Sequence, residues 1–218
     1  ILRAPAVRAP RDPSAGPRTR GFERKVRANA ERATKITLDY EDNASTSVLS
    51  ALQNDPTVLA YAPAMPMKLI EPLASASAPP ADVTWGVEAV GAQKSPFTGA
   101  GAIVAVLDTG IDADHPAFAG VELVTQDFTG AGSAEDDNGH GTHCAGTIFG
   151  RDIGGQRIGV ARGVRKALIG KVLGGPTGGS SDTLATAMLW AANEGAHVIS
   201  MSLGMDFPGW VDTLVKHG

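Results

Sequence analysis

The stretch Ile103-Val-Ala-Val-Leu107, closed by Asp108-Thr-Gly110, decides the fold class. Its first five residues are continuously apolar, the pattern of a strand buried on both faces, and such strands belong to parallel sheets covered by helices. The run then stops at Asp108, Thr109 and Gly110, which places a carboxylate at a strand tip where the backbone turns away.

Two more segments of this kind lie downstream, at residues 167–173 and 197–203. Between them the pattern predicts a helix with Asp182 at its N-cap, with Leu184, Ala187, Met188 and Ala191 on one face and Gly195 just past its end. Strand, helix and strand in that order read as a right-handed βαβ unit, so a parallel sheet is the expected architecture. Sites in open α/β sheets form at the carboxyl ends of strands. Asp108 and the turn Ser202-Leu203-Gly204 both fall there.

Asp108 alone is ambiguous. An aspartate at a strand tip serves metals and riboses in many α/β folds, and Asp-Thr-Gly is also an aspartic protease signature. The segment Asp137-Asn-Gly-His140-Gly-Thr-His143-Cys144-Ala-Gly-Thr147 narrows the choice. Small residues surround His140, as suits an imidazole at a helix start packed close against neighbouring backbone. Glycine costs a helix about 1 kcal/mol relative to alanine, so Gly141 and Gly146 make sense where the helix is tightly packed. Two histidines at this spacing could also be core residues or half of a zinc site, but a catalytic zinc needs three protein ligands and no HExxH or CxxC pattern is present.

Together, Val104-Ala-Val-Leu-Asp108-Thr-Gly110-Ile-Asp112 and His140-Gly-Thr-His143-Cys-Ala-Gly-Thr147 resemble the subtilisin-like serine proteases, the subtilases of peptidase family S8. The resemblance runs from about Trp85 to Gly204. It implies a mostly parallel α/β sheet with helices on both faces, here incomplete, and a serine endopeptidase with an Asp-His-Ser triad. Carried over, Asp108 would orient His140 and stabilise its imidazolium, and His140 would pass a proton from the attacking serine to the leaving amine. His143 is similar to the family's second histidine, a packing and hydrogen-bonding residue. Cys144 is similar to a free buried thiol beneath the catalytic histidine in the proteinase K branch.

The stretch 173–179, with Thr177, Gly178 and Gly179, and the turn Ser202, Leu203 and Gly204 are similar to the two segments that flank a peptide substrate in the family. Small side chains there let a peptide approach closely. The resemblance thus implies an extended polypeptide substrate. The family's oxyanion asparagine and Gly-Thr-Ser-Met-Ala segment are not found, and in the family order both would follow Gly218. Ser180, Ser181, Ser200 and Ser202 are poor substitutes by position. The 218-residue chain alone is therefore expected to be inactive. Calcium is a family ligand, but the usual aspartate position is Ala117 and residues 151–157 do not resemble the matching loop, so no cofactor is predicted.

Upstream, residues 1–34 are rich in Arg, Pro and Ala with little hydrophobic periodicity, and read as a disordered basic segment. Residues 35–70 carry a half-buried strand at Ile36, Leu38 and Tyr40, a helix through Val48, Leu49 and Leu52 stopped at Asn54-Asp-Pro56, and a proline-interrupted strand from Val58 to Leu69. This piece resembles a subtilisin propeptide, which implies an intramolecular inhibitor and maturation between Met67 and Asp82. Residues 71–83 have linker composition, and 84–218 form the front part of the catalytic domain.

The formal net charge of -4 gives no basic footprint for nucleic acid. No apolar run approaches the roughly 18 residues of a membrane span. Residues 1–20 show no secretory signal, although the family resemblance favours secretion. A single cysteine allows no internal disulfide. Two alternatives stay open: a catalytically inactive subtilase-like binding module, and an aspartic protease built on Asp108-Thr-Gly, which the helix after Asp182 disfavours.

Overall fold

Residues 1–3, 37–41, 44–70, 81–174 and 179–205 are described by a computed structural model. They fall into two units, Ile1–Pro63 and Ala64–Gly218. In the first, β1 (Leu2–Arg3) lies between β2 (Thr37–Leu38) and β3 (Val58–Ala60), antiparallel to both. Helix α1 (Thr46–Asn54) begins where the Ser45 hydroxyl accepts the Val48 amide, the usual duty of a serine N-cap, and buries Leu52. The guanidinium of Arg3 bridges Asp39 at 2.7 Å and Asp55 at 2.5 Å.

Here the structure departs from the sequence reading. Leu2 and Arg3, read as part of a disordered segment, pair as a strand, and the Arg3 guanidinium meets two carboxylates there; residues 4–34 of that segment lie outside the described residues. The single proline-interrupted strand is two strands in different sheets. Its second half, β4 (Pro66–Leu69), belongs to the second unit, where β8 (Gly179–Ser180) and β10 (Leu203–Met205) pair with it antiparallel on either side. The expected linker ends earlier than residue 83, since Asp82 accepts the Arg157 amide and Val83 bridges Arg157.

The second unit is built on a four-stranded parallel sheet. It comprises β5 (Ile103–Asp108), β6 (Glu122–Asp127), β7 (Lys166–Lys171) and β9 (Val198–Ser200), in the order β6-β7-β5-β9. The alternation of side chains along β5 serves two cores. Val104 and Val106 face α3 (His140–Phe149), in a cluster with Ile111, Phe118, Ala145, Phe149 and Ile169. Ala105 and Leu107 face α4 (Ser181–Asn193) through Ala191 and Ala187. An apolar run without alternation is what this two-sided burial requires, so the incomplete α/β fold read from residues 103–107 is present, with helices on both faces.

Three details differ from expectation. Helix α4 starts at Ser181 with Ser180 at the cap position, leaving Asp182 in the first turn, where the helix dipole favours a negative charge. The run 197–203 is not one strand: β9 ends at Ser200, and after Ser202 the chain leaves the parallel sheet to give its edge to β4. Strand β6 was not foreseen, and neither was the short helix α2 (Trp85–Ala89).

Candidate active site

Asp108 is the last residue of β5 and 1% exposed. Its carbonyl is held by the amides of Val172 and Leu173, and its Oδ1 accepts the Thr109 amide at 2.8 Å. The chain then turns at Gly110, with φ of +113°, a conformation that suits glycine. Gly141 packs directly on that turn. A Cβ on Gly141 would overlap the Gly110 carbonyl, and a Cβ on Gly110 would overlap the Ala134 carbonyl. Two glycines thus allow the first turn of α3 to press against the tip of β5.

His140 opens α3, and its Nδ1 lies 2.7 Å from Asp108 Oδ1. Its side chain is 13% exposed, so the ring is held from one side and reachable from the other. The structure therefore brings together the two residues singled out as a pair from sequence. One turn along α3, the half-buried Cys144 sulfur sits 3.8 Å from His140 Nδ1. Burial pushes its thiol pKa up, against a hydrogen bond from Ser202 that pulls it down. His143 is exposed on another face of the helix, where it lines an apolar recess with Trp85, His115 and Phe118, so it is not the packed residue expected.

Two side chains that the sequence reading passed over fix the loop before α3. Asp136 accepts the Thr109 hydroxyl at 2.7 Å, the Gly139 amide at 2.9 Å, and both the amide and hydroxyl of Thr142 at 2.8 and 2.6 Å. Burial alone would raise its pKa, but these hydrogen bonds outweigh burial and hold it at about 2. Thr109 in turn accepts the Gly141 amide, so a single carboxylate ties the Asp108 turn to the His140 helix. Lys171, at the end of β7 and 2% exposed, donates to the Glu135 carbonyl at 2.7 Å and to Asp137 at 3.2 Å. A lysine inside the apolar run 167–173 was the available signal.

Of the residues expected to flank a substrate, Gly179 lies in β8, Leu203 and Gly204 lie in β10, and Ser202 directly precedes β10. Thr177 and Gly178 lie outside the described residues. The groove between β8 and β10 holds β4: Met67 is opposite Gly179 and Met205, Lys68 opposite Gly204, and Leu69 opposite Leu203. Met67, Leu69 and Leu203 all pack against the buried cluster of Leu107, Val172, Leu173 and Ala187.

The calcium position fits the ion poorly. Calcium takes six to eight oxygens, usually with carboxylates among them. Ala117 offers no side-chain oxygen, and its carbonyl accepts the Arg151 amide. The Arg151 guanidinium then gathers the carbonyls of Ala119, Phe149, Arg162 and Val164, so a protein-borne cation already takes the oxygens of this corner. No helix among the described residues is long and apolar enough to cross a membrane.

Residues 99–216 match the model of the subtilase family, Peptidase_S8. The chain belongs to the subtilase family. Relatives include M-protease from Shouchella clausii (strain KSM-K16), 37% identical over 73% of this subtilase chain and 40% of that protein. Subtilisin Savinase from Lederbergia lenta is 41% identical over 58% of this chain and 47% of its own length. The chain thus spans about half or less of the curated relatives it matches. Among solved structures, fervidolysin from Fervidobacterium pennivorans is 31% identical, with a TM-score of 0.46 over 55% of this chain and 20% of that one. Membership sets aside the alternative of an aspartic protease built on Asp108-Thr-Gly.

Proposed function

We propose that this subtilase chain is the front part of a serine endopeptidase precursor in which Asp108 and His140 are two members of an Asp-His-Ser triad, the serine being supplied by sequence after Gly218. The observation that carries the reading is the 2.7 Å contact between His140 Nδ1 and Asp108 Oδ1 at the mouth of the parallel sheet. With Nδ1 turned to the carboxylate, Nε2 is the nitrogen left to take a proton from a hydroxyl. Asp108 then stabilises the imidazolium, and His140 returns the proton to the leaving amine.

The substrate is an extended polypeptide, and the first one is the chain itself. Strand β4 already pairs on both sides as a peptide substrate would. The next residue, Ile70, lies beside Gly204, where an added Cβ would be 3.7 Å from its Cγ1. The Ser202-Leu203-Gly204 turn is similar to the family's wall for the side chain preceding the cut. The bond after Ile70 is therefore assigned as the first one cleaved, and residues up to Ile70 act as an intramolecular inhibitor until they leave.

The test is to express the chain continued by its own downstream coding sequence. The completed protein should release a product beginning at Glu71, label with a fluorophosphonate and cleave casein, and Asp108→Asn should lower kcat by roughly 10⁴-fold. Residues 1–218 alone should do none of these. Casein cleavage by the isolated chain that a fluorophosphonate blocks, or a completed protein without activity, would overturn the reading. The second result would favour the inactive binding module.

A further inference from the structure

We propose that Asp108, His140 and Cys144 form a three-ligand site for a borderline-soft divalent cation of the zinc class, and that filling it disables His140 as a base. One potential ligand atom from each residue lies within 4.8 Å of the other two. His140 and Cys144 are four apart on α3 and so share a face. Asp108 brings the second, independent observation: its Oδ2 is buried and, among the described residues, has no hydrogen-bond partner beyond the weak approach of the Cys144 thiol to this carboxylate, a costly state for a carboxylate oxygen. A cation would satisfy it.

The donor set is chemically apt. Carboxylate, imidazole and thiolate are the three ligand types zinc takes, at about 2.0–2.3 Å, with a fourth tetrahedral position open to water. Donors around one such ion stand roughly 3.3–3.7 Å apart. The 3.8 Å between Cys144 Sγ and His140 Nδ1 already suits this. The 2.7 Å between Nδ1 and Asp108 Oδ1 must open by about half an ångström, or Oδ2 must serve instead. The partly exposed imidazole gives the ion and its water a way in.

Binding is an exchange. The cation takes the Nδ1 lone pair, the ring proton moves to Nε2, and the Cys144 thiol releases its proton to solvent, so one proton leaves for each ion bound. An imidazole with its proton on Nε2 donates there and cannot accept from a hydroxyl. This consequence rests on the reading of His140 as the base; the binding itself does not. A chelator reverses both.

The probe is cobalt(II) titrated into the metal-free chain, followed by zinc(II) competition. Cys144 is the chain's single cysteine, so a thiolate-to-cobalt charge-transfer band reports this site alone. One ion per chain is expected, with a band that zinc and chelator both remove. Cys144→Ala should lack the band. Asp108→Asn should keep it while losing at least about ten-fold in zinc affinity. Circular dichroism checks that each variant is folded, and His140→Gln stands in should Asp108→Asn unfold. Absence of the band in folded wild-type chain overturns the proposal. So does a band whose zinc affinity is indifferent to both Asp108→Asn and His140→Gln, since the thiol would then be acting alone. In the completed protein, binding without loss of proteolysis would refute His140 as the base and leave the metal site standing.

Discussion

The two units of this chain hold their shape by different means. In Ile1–Pro63 the described strands are two or three residues long, α1 buries only Leu52, and the ties are polar, with Arg3 reaching Asp39 and Asp55. In Ala64–Gly218, α3 and α4 cover opposite faces of a parallel sheet, and Leu107, Phe149 and Leu168 are fully buried. Only the second kind of scaffold can fix a carboxylate and an imidazole to within a few tenths of an ångström. Rotamers there are locked by packing, whereas exposed ion pairs contribute little and yield to salt.

The largest test of this contrast is Phe149→Ala. It empties a site packed on Phe118 and should cost the second unit about 3–5 kcal/mol. Leu52→Ala should cost the first unit roughly 2 kcal/mol, the low end for such a change. Calorimetry should show each variant lowering its own transition, and a shared shift would mean that the units do not melt separately. Next comes Gly141→Ala, where the new Cβ meets the Gly110 carbonyl. About 1–3 kcal/mol of overpacking and a displaced His140 are expected, read as a lower melting temperature and altered imidazole resonances.

A smaller effect belongs to Asp136. Its folded pKa of about 2 lies below the ordinary 3.8, so its contribution is complete above 3.8 and is lost as the pH falls through about 2. Melting temperatures measured across that window should fall in the wild type and fall less in Asp136→Asn. The smallest effect is expected from Arg3→Ala, which should leave the second unit's transition unmoved and lower the first only slightly, less so in high salt.

Much of the fold was legible because burial leaves a mark on composition. Two-sided burial strips polar residues from 103–107, and the close approach of α3 to β5 demands Gly110 and Gly141, so the strand, the helix and the Asp108–His140 pair could all be read. What escaped was set by partners distant in sequence. Residues 197–203 looked like one strand because nothing local marks where β9 gives way to β10; the division exists because β4, more than a hundred residues earlier, pairs with Leu203–Met205. Asp136 was hidden for the opposite reason. An aspartate in a polar loop is unremarkable until Thr109 and Thr142 are seen to converge on it. His143 misled, because its place in a motif says nothing of which helix face it occupies.

Residues 1–218 by themselves bring the Asp108 carboxylate and the His140 imidazole into contact. The most direct measurement is the proton NMR spectrum of the chain with nitrogen-labelled histidine. A strongly downfield proton is expected on His140 Nδ1, shared with Asp108 across 2.7 Å, that disappears in Asp108→Ala. A His140 ring with no such proton in a chain otherwise folded, or one that keeps it after Asp108→Ala, would contradict that contact.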